Sequence, residues 1–120
     1  MALFLAALLL QEPTLVAREA IQPHLALDDD GRAYVVFLRD GQVELSVSDD
    51  GGRTFSAPVV AIDAKGRARG GMQRGPRVAV DGRKTVYVTA PLAFDAAGLG
   101  KRYPVQDLWA AASVDGGRTF

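Results

Sequence analysis

Alternating apolar and polar positions predict two groups of short β-strands. Over residues 42–48, valine and leucine alternate with polar side chains, the period of a strand with one wetter face. The run 34–38 is apolar at every position, as expected of a strand buried on both faces. Helical periodicity is missing except at the extreme N-terminus, so the pattern predicts an all-β fold. The predicted strands are 24–28, 32–39, 42–48 and 57–62 in one group and 77–81, 85–91 and 107–114 in the other.

An eight-residue pattern, S-x-D-x-G-x-T-F, occurs at 48–55 and again at 113–120, and the last six residues, DGGRTF, are identical. Aspartate accepts hydrogen bonds from nearby backbone N–H groups in turns, and glycine supplies positive φ angles. The pattern therefore predicts a tight connection between antiparallel strands, after which the phenylalanine returns to the core. It contains neither a nucleophile–base pair nor a ligand cluster. The residues expected to be structural are Ser48, Asp50, Gly52, Thr54, Phe55, Ser113, Asp115, Gly117, Thr119 and Phe120.

The two groups of strands also align with each other. Residues 23–37 match 76–90 without gaps at an offset of 53, whereas the octapeptides lie 65 residues apart. The second unit therefore carries 12 more residues between its second strand and its octapeptide. Asp40-Gly41, between two predicted strands, is a hairpin signal. Residues 12–17 resemble the stretch 57–61 and could form a lone fourth strand.

The octapeptide resembles the Asp-box, also called the bacterial neuraminidase repeat, of sialidases and related β-propellers. The resemblance implies a propeller of six four-stranded blades, with each Asp-box joining the third and fourth strands on the face opposite the active site. The chain would then be an N-terminal part covering about two blades. The first would occupy 23–62 with its box at 48–55, and the second, truncated, would occupy 76–120 with its box at 113–120.

In such a propeller, ligands bind where the second and third strands, and successive blades, are connected. The connection between the two blades corresponds to 63–75. The connection between the second and third strands of the second blade corresponds to 92–106. The first is rich in glycine and arginine, a surface suited to carboxylates or phosphates, and the second contains the insertion. A solvated, arginine-rich loop remains the other interpretation.

Catalytic sialidases carry an Arg-Ile-Pro motif whose arginine binds the carboxylate of sialic acid. The resemblance makes Arg74, in an Arg-Gly-Pro sequence, the candidate carboxylate-binding residue. It makes Asp95 the candidate acid/base, with Asp107 as a second candidate. The first unit has Ile21-Gln22-Pro23 in the equivalent place, so the alternative that the proline is merely a feature of the repeat stays open.

Two functions follow from the resemblance. The full-length parent is expected to be an exo-α-sialidase that hydrolyses sialylated glycans, using a tyrosine nucleophile supplied by a later blade. The alternative is a non-catalytic, secreted or surface propeller that binds glycans or proteins. Whether the protein is an enzyme therefore stays open. The 120 residues alone are expected to be inactive and marginally stable, because repeat arrays need about three or more units. A reading frame that makes no stable protein is the third interpretation.

The composition limits the kinds of partner and cofactor that we expect. Lys plus Arg equals Asp plus Glu at 14 each, which gives no attraction to nucleic acid. The chain lacks cysteine and has a single histidine, His24, so we expect no metal, cofactor or disulfide. The expected ligand is a glycan or glycoprotein. Residues 1–11 are too short to span a bilayer. They resemble the apolar region of a secretory signal, which favours a secreted, periplasmic or surface location. A buried N-terminal strand or an artefact of the assigned start stays the alternative.

Overall fold

The described part of the chain forms two antiparallel β-sheets. The computed structural model describes residues 12–68, 75–93 and 106–120, and contains no helix within them, hence none able to cross a membrane. The all-β prediction is confirmed, and the seven strands predicted in the two groups are present with bounds shifted by at most three residues, whereas residues 12–17 do not form a strand. The first sheet consists, in order, of β1 (Ile21–Leu27), β2 (Ala33–Arg39), β3 (Gln42–Ser48) and β4 (Val59–Ile62). The second consists of β5 (Arg77–Val80), β6 (Val86–Ala93) and β7 (Gln106–Ser113).

The predicted hairpin at Asp40-Gly41 is confirmed. Arg39 pairs with Gln42 across a two-residue loop whose φ angles are 52° and 73°. Two positive φ angles give a turn whose twist matches that of the flanking strands. A Cβ on Gly41 would lie 2.7 Å from the Cα of Gly66, so glycine is also required there for a close approach of two backbones.

The two sheets share one register. Tyr34 of β2 lies opposite Val47 of β3, and Tyr87 of β6 lies opposite Ala112 of β7. Tyr34 and Tyr87 are 53 residues apart in the sequence, whereas Val47 and Ala112 are 65 residues apart. The 12 additional residues of the second unit therefore fall between β6 and β7, as the spacing predicts, and correspond to residues 94–105.

The sheets stack so that unlike faces meet. We call the side of each sheet that carries Tyr34, or its equivalent Tyr87, the forward face, and the opposite side the rear face. The core lies between the forward face of the first sheet and the rear face of the second. Forward residues of the first sheet in this core are Tyr34, Val36, Leu38, Val43, Leu45 and Val47, and rear residues of the second are Val78, Val80, Val86, Val88, Ala90 and Leu92.

The rear face of the first sheet is only partly covered. Phe37, on β2, is buried, and a cavity of about 210 Å³ separates it and Val35 from residues 16–20 of the N-terminal segment. Leu25 and Leu27 of β1 lie on the same face and are exposed. The N-terminal segment therefore shields the β2 part of this face and leaves its β1 part open.

Candidate functional site

The strand order separates the connections into two ends. Both octapeptides, together with the β1–β2 and β5–β6 turns, lie at one end of the sheets, which we call the turn end. The β2–β3 hairpin, the segment after β4 and the connection between β6 and β7 belong to the opposite end, the loop end. The basic segment and the insertion singled out in the sequence therefore both begin at the loop end.

The side chains of the first octapeptide form hydrogen bonds within the octapeptide itself. The Ser48 hydroxyl accepts a hydrogen bond from the amide of Gly52 at 2.9 Å and donates one to Asp50 at 2.9 Å. The Asp50 carboxylate in turn accepts from the amide of Thr54 at 2.9 Å and from its hydroxyl at 2.5 Å. Asp50 thus accepts hydrogen bonds from a residue four positions later, because the two glycines fold the chain back toward the aspartate.

The second octapeptide repeats this network. Ser113 accepts from Gly117 at 2.9 Å and donates to Asp115 at 2.6 Å, and Asp115 accepts from the amide and hydroxyl of Thr119. In the first octapeptide, hydrogen bonds lower the pKa of Asp50 to about 2, and the bond from the Thr54 hydroxyl contributes most. In the second, the bond from Ser113 contributes most, and the pKa of Asp115 lies well below its usual range. Both carboxylates are therefore acceptors within a turn.

The two octapeptides differ in their surroundings. Gly117 lies on the forward face of the first sheet, where a Cβ would come within 2.8 Å of Leu45 Cδ2. The equivalent Gly52 has nothing within 4 Å of the Cβ position. Phe55 and Phe120 are both half-buried, and Phe120 packs against the core between the sheets. The second octapeptide is thus part of the junction between the sheets, and the first presents an open surface.

A second pair of turns repeats at the same end. The Asp28 carboxylate accepts hydrogen bonds from the amide of Asp30 at 2.9 Å, the amide of Arg32 at 3.0 Å and the hydroxyl of Tyr34 at 3.0 Å. Fifty-three residues later, the Asp81 carboxylate accepts from the equivalent groups of Arg83, Thr85 and Tyr87. The 53-residue offset thus matches Asp28 with Asp81 and Tyr34 with Tyr87, and in each unit the tyrosine hydroxyl donates to the aspartate.

Lys84 joins the second sheet to the first. Its ammonium group lies 3.0 Å from Asp28 and 2.5 Å from Asp30, and these carboxylates raise the pKa of Lys84 to about 12. Burial alone would raise the pKa of Asp28, but hydrogen bonds from Lys84, two backbone amides and Tyr34 together lower it to about 2. Sequence analysis missed Lys84, because glycine occupies the equivalent position 31 of the first unit.

At the loop end, Gln42 fixes the segment that follows β4. Its side-chain carbonyl accepts from the amide of Ala64 at 2.6 Å, and its side-chain NH₂ donates to Asp63 at 2.9 Å. Asp63 also accepts from the amide of Lys65 at 3.2 Å. The bond from Gln42, followed by that from Lys65, lowers the pKa of Asp63. The start of the basic segment is therefore held against the β2–β3 hairpin.

Backbone strain gathers at the same end. The non-glycine residues with positive φ there are Glu19 (55°), Gln22 (53°), Asp40 (52°) and Lys65 (50°). Asp40 and Lys65 are each followed by a glycine of positive φ in a two-residue turn, where this conformation is ordinary. Glu19 and Gln22 lie outside such turns, and their conformations cost about 1–3 kcal/mol each. A depression of about 290 Å³ at this end is lined by Glu19, Ile21, Leu38, Arg39, Asp40, Gly41 and Ala68. The loop end is therefore the candidate functional site.

Two further polar contacts were not predicted. The Arg39 guanidinium pairs with both oxygens of Glu44, at 2.6 and 3.3 Å, across β2 and β3. His24 of β1 accepts a hydrogen bond through Nδ1 from the amide of Val78 at 3.2 Å. This histidine thus helps to hold β5 against β1.

Arg74, the candidate carboxylate-binding residue, and Asp95, the candidate acid/base, lie outside the described residues. Gly75, the neighbour of Arg74 in the sequence, lies at the loop end, where a Cβ would be 3.0 Å from that of Gln22. Asp107, the second aspartate considered, is exposed on β7 opposite Leu92.

Neither metal-binding side chains in the described part of the chain nor similarity to known proteins assigns a function to the loop end. Among residues 12–68, 75–93 and 106–120, no three His, Cys, Asp or Glu side chains are placed to hold a metal ion. Comparisons with protein families, with curated proteins and with solved structures find no match to this chain.

Proposed function

We propose that the chain belongs to an Asp-box β-propeller whose loop end binds sialylated glycans. The observation that carries this proposal is the junction between the sheets, where the second octapeptide packs on the forward face of the first sheet through Gly117. A junction between unlike faces can be repeated indefinitely, and it closes into a ring when the rotation per unit allows. The same hydrogen-bond networks occur in both units, which also supports a fold built from one repeating unit.

In the catalytic form of this proposal, the protein is an exo-α-sialidase. Arg74 binds the carboxylate of sialic acid, since a guanidinium fork matches both carboxylate oxygens. Asp95 protonates the oxygen of the leaving group, and a tyrosine elsewhere in the ring is the nucleophile. A secreted or surface location belongs to this proposal, because sialylated glycans are displayed outside cells.

The second candidate is a propeller that binds glycans without hydrolysis. At the described part of the loop end, the Asp63 carboxylate accepts hydrogen bonds from the Gln42 side chain and the Lys65 amide, which fixes it as an acceptor. Arg39 is paired with Glu44, which suits a fixed, polar binding surface.

A titration of the isotopically labelled chain with sialyllactose separates these candidates. We expect amide resonances of Gln22, Lys65 and Gly75 to shift, and lactose to produce no such shifts. Arg74→Ala should abolish the shifts, whereas Arg53→Ala, an exposed arginine of the turn end, should leave them unchanged.

Because the proposed tyrosine nucleophile belongs to a later blade, hydrolysis is assayed with the full-length parent: release of free sialic acid there would support the sialidase, and binding without release would support the binding protein. Shifts confined to the octapeptides, or a titration without shifts at the loop end, would contradict the proposal.

A further inference from the structure

The single histidine of the chain lies at the junction between the two sheets. His24 is on the forward face of β1, the side that meets the second sheet, because its partner in β2 is Val36. Its Nδ1 atom accepts a hydrogen bond from the backbone amide of Val78 at 3.2 Å. Val78 belongs to β5, the edge strand of the second sheet, and is 4% exposed. The histidine therefore supplies the acceptor for a buried amide on a strand edge.

This bond fixes the protonation state of His24. A backbone N–H only donates, so Nδ1 carries no proton and the proton of the neutral imidazole is on Nε2. In the imidazolium ion both ring nitrogens are donors, and turning the ring over would present a second donor to the same amide. Protonated His24 therefore has no acceptor to offer Val78.

The strands that pack on β1 are β2 and β5, and they bring no counter-ion to His24. None of the three strands contains aspartate or glutamate, and their other titratable side chains are Tyr34, Arg39 and Arg77. Tyr34 donates to a carboxylate at the turn end, and Arg39 is paired with Glu44 on the rear face. Arg77 lies on the forward face of the second sheet, directed away from this junction. These strands therefore favour a neutral imidazole.

The carboxylates that flank β1 in the sequence lie at the two ends of the strand. Glu19 lines the depression at the loop end, and Asp28 is bound by Lys84 at the turn end. Neither is paired with His24, whose hydrogen bond goes to the backbone of Val78.

We propose that the His24–Val78 contact is an acid-sensitive switch in the junction between the sheets. An ordinary imidazole changes its charge between about pH 8 and pH 5. At the upper end of this range the neutral ring holds β5 against β1, and at the lower end the imidazolium releases the Val78 amide. The chain has one histidine and no cysteine, so His24 is the side chain that titrates in this range. The inference concerns the junction itself and is independent of glycan binding.

Release of this bond reaches the loop end. Gly75 lies three residues before Val78, and Gln22 lies two residues before His24. A Cβ added to Gly75 would be 3.0 Å from the Cβ of Gln22, so the starts of β1 and β5 are in close contact. This contact loosens when the bond between the two strands opens, and the amide of Gly75 reports the change.

Nuclear magnetic resonance of the isotopically labelled chain tests the switch. At about pH 8 the imidazole nitrogen shifts should show the tautomer with its proton on Nε2. Between about pH 8 and pH 5, the protection of the Val78 amide against hydrogen exchange should fall about tenfold, as expected for one lost hydrogen bond, and the Gly75 amide should shift. The amide of Leu45, in a central strand of the first sheet, should keep its protection.

Two substitutions separate the proton from the acceptor. His24→Asn keeps an acceptor oxygen at the covalent position of Nδ1 and does not titrate, so the protection of Val78 should be the same at both pH values. His24→Ala removes the acceptor, so protection should be low at both. Circular dichroism of each variant checks that its fold is unchanged.

Three results would overturn the proposal. The first is a tautomer with its proton on Nδ1 at the higher pH, and the second is a Val78 amide whose protection in the unaltered chain does not depend on pH. The third is an equal fall in His24→Asn, which would place the titrating group elsewhere. If both variants lose their fold, the tautomer and the exchange measured in the unaltered chain decide the question.

Discussion

Gly52 and Gly117 occupy the same position of the two octapeptides and share a φ of +88°, but only Gly117 has close neighbours. Alanine at either position meets the strain of a left-handed backbone, about 1 kcal/mol. At Gly117 it also overlaps Leu45, and overpacking adds about 1–3 kcal/mol. We therefore expect Gly117→Ala to lower the free energy of unfolding more than Gly52→Ala, as measured by urea denaturation. Equal losses would show that the second octapeptide does not pack on the first sheet.

The octapeptide aspartates make stability depend on acid pH. The pKa of Asp50 is lowered from 3.8 to about 2 in the folded chain by bonds led by that from the Thr54 hydroxyl. A depressed folded-state pKa contributes stability that is fully present above the unfolded-state value and is lost as pH falls through the folded-state value. We expect unfolding free energy to fall between about pH 4 and pH 2.

Asp50→Asn is the matched test of this pH dependence, because it keeps the size of the side chain and removes the titration. Its unfolding free energy, measured by denaturant titration at several acid pH values, should change less steeply with pH than that of the unaltered chain. An identical slope for the two proteins would exclude Asp50 as a contributor.

At the scale of elements, Lys84 links the β5–β6 turn to the β1–β2 turn. Removing its charge with Lys84→Met leaves Asp28 and Asp30 without their cation, while the partly buried Asp28 remains bound to two amides and Tyr34. We expect a lower thermal midpoint than for Arg83→Met. Arg83 is the neighbouring exposed cation, and its side chain does not enter this junction.

Salt provides a second measurement of this link. Because the Lys84 side chain is 40% exposed, salt screens its attraction to the carboxylates. The difference between the two midpoints should therefore shrink as ionic strength rises. A difference that is independent of salt would assign the loss to packing of the lysine stem.

The strands were predictable because alternation and turn residues are local signals. The gapless alignment at 53 residues also located the insertion, since Tyr34 and Tyr87 keep the same partners in their sheets. Lys84 could not be predicted, because its role depends on a turn 54 residues away that it approaches only after the sheets stack. The strained conformation of Gln22 was equally invisible, since no local residue pattern encodes it.

At the scale of the molecule, the direction of stacking also lay beyond sequence analysis. The apolar run of β2 shows that both of its faces are covered but not what covers each one. In the structure, the second sheet covers Tyr34, and the N-terminal segment shields Phe37. The candidate site was predicted as two loops, and the structure adds the positive-φ residues Glu19 and Gln22 at the loop end. The carboxylate-binding candidate Arg74 and the acid/base candidate Asp95 were named from family resemblance, and both lie outside the described residues.

Because the core lies between the sheets, the two should unfold together. Leu45 is fully buried in this core, and its side chain meets the Gly117 backbone of the second sheet's octapeptide. Leu45→Ala should cost about 2–5 kcal/mol through lost burial and the cavity left behind. Leu25→Ala is the matched control, since this leucine of the same sheet is mostly exposed and its truncation should cost far less. Native-state hydrogen exchange in Leu45→Ala should show amides of β2 and β6 losing protection by the same amount. Loss confined to β2 would mean that the sheets are independent units, and the junction would then be too weak to propagate a repeat array.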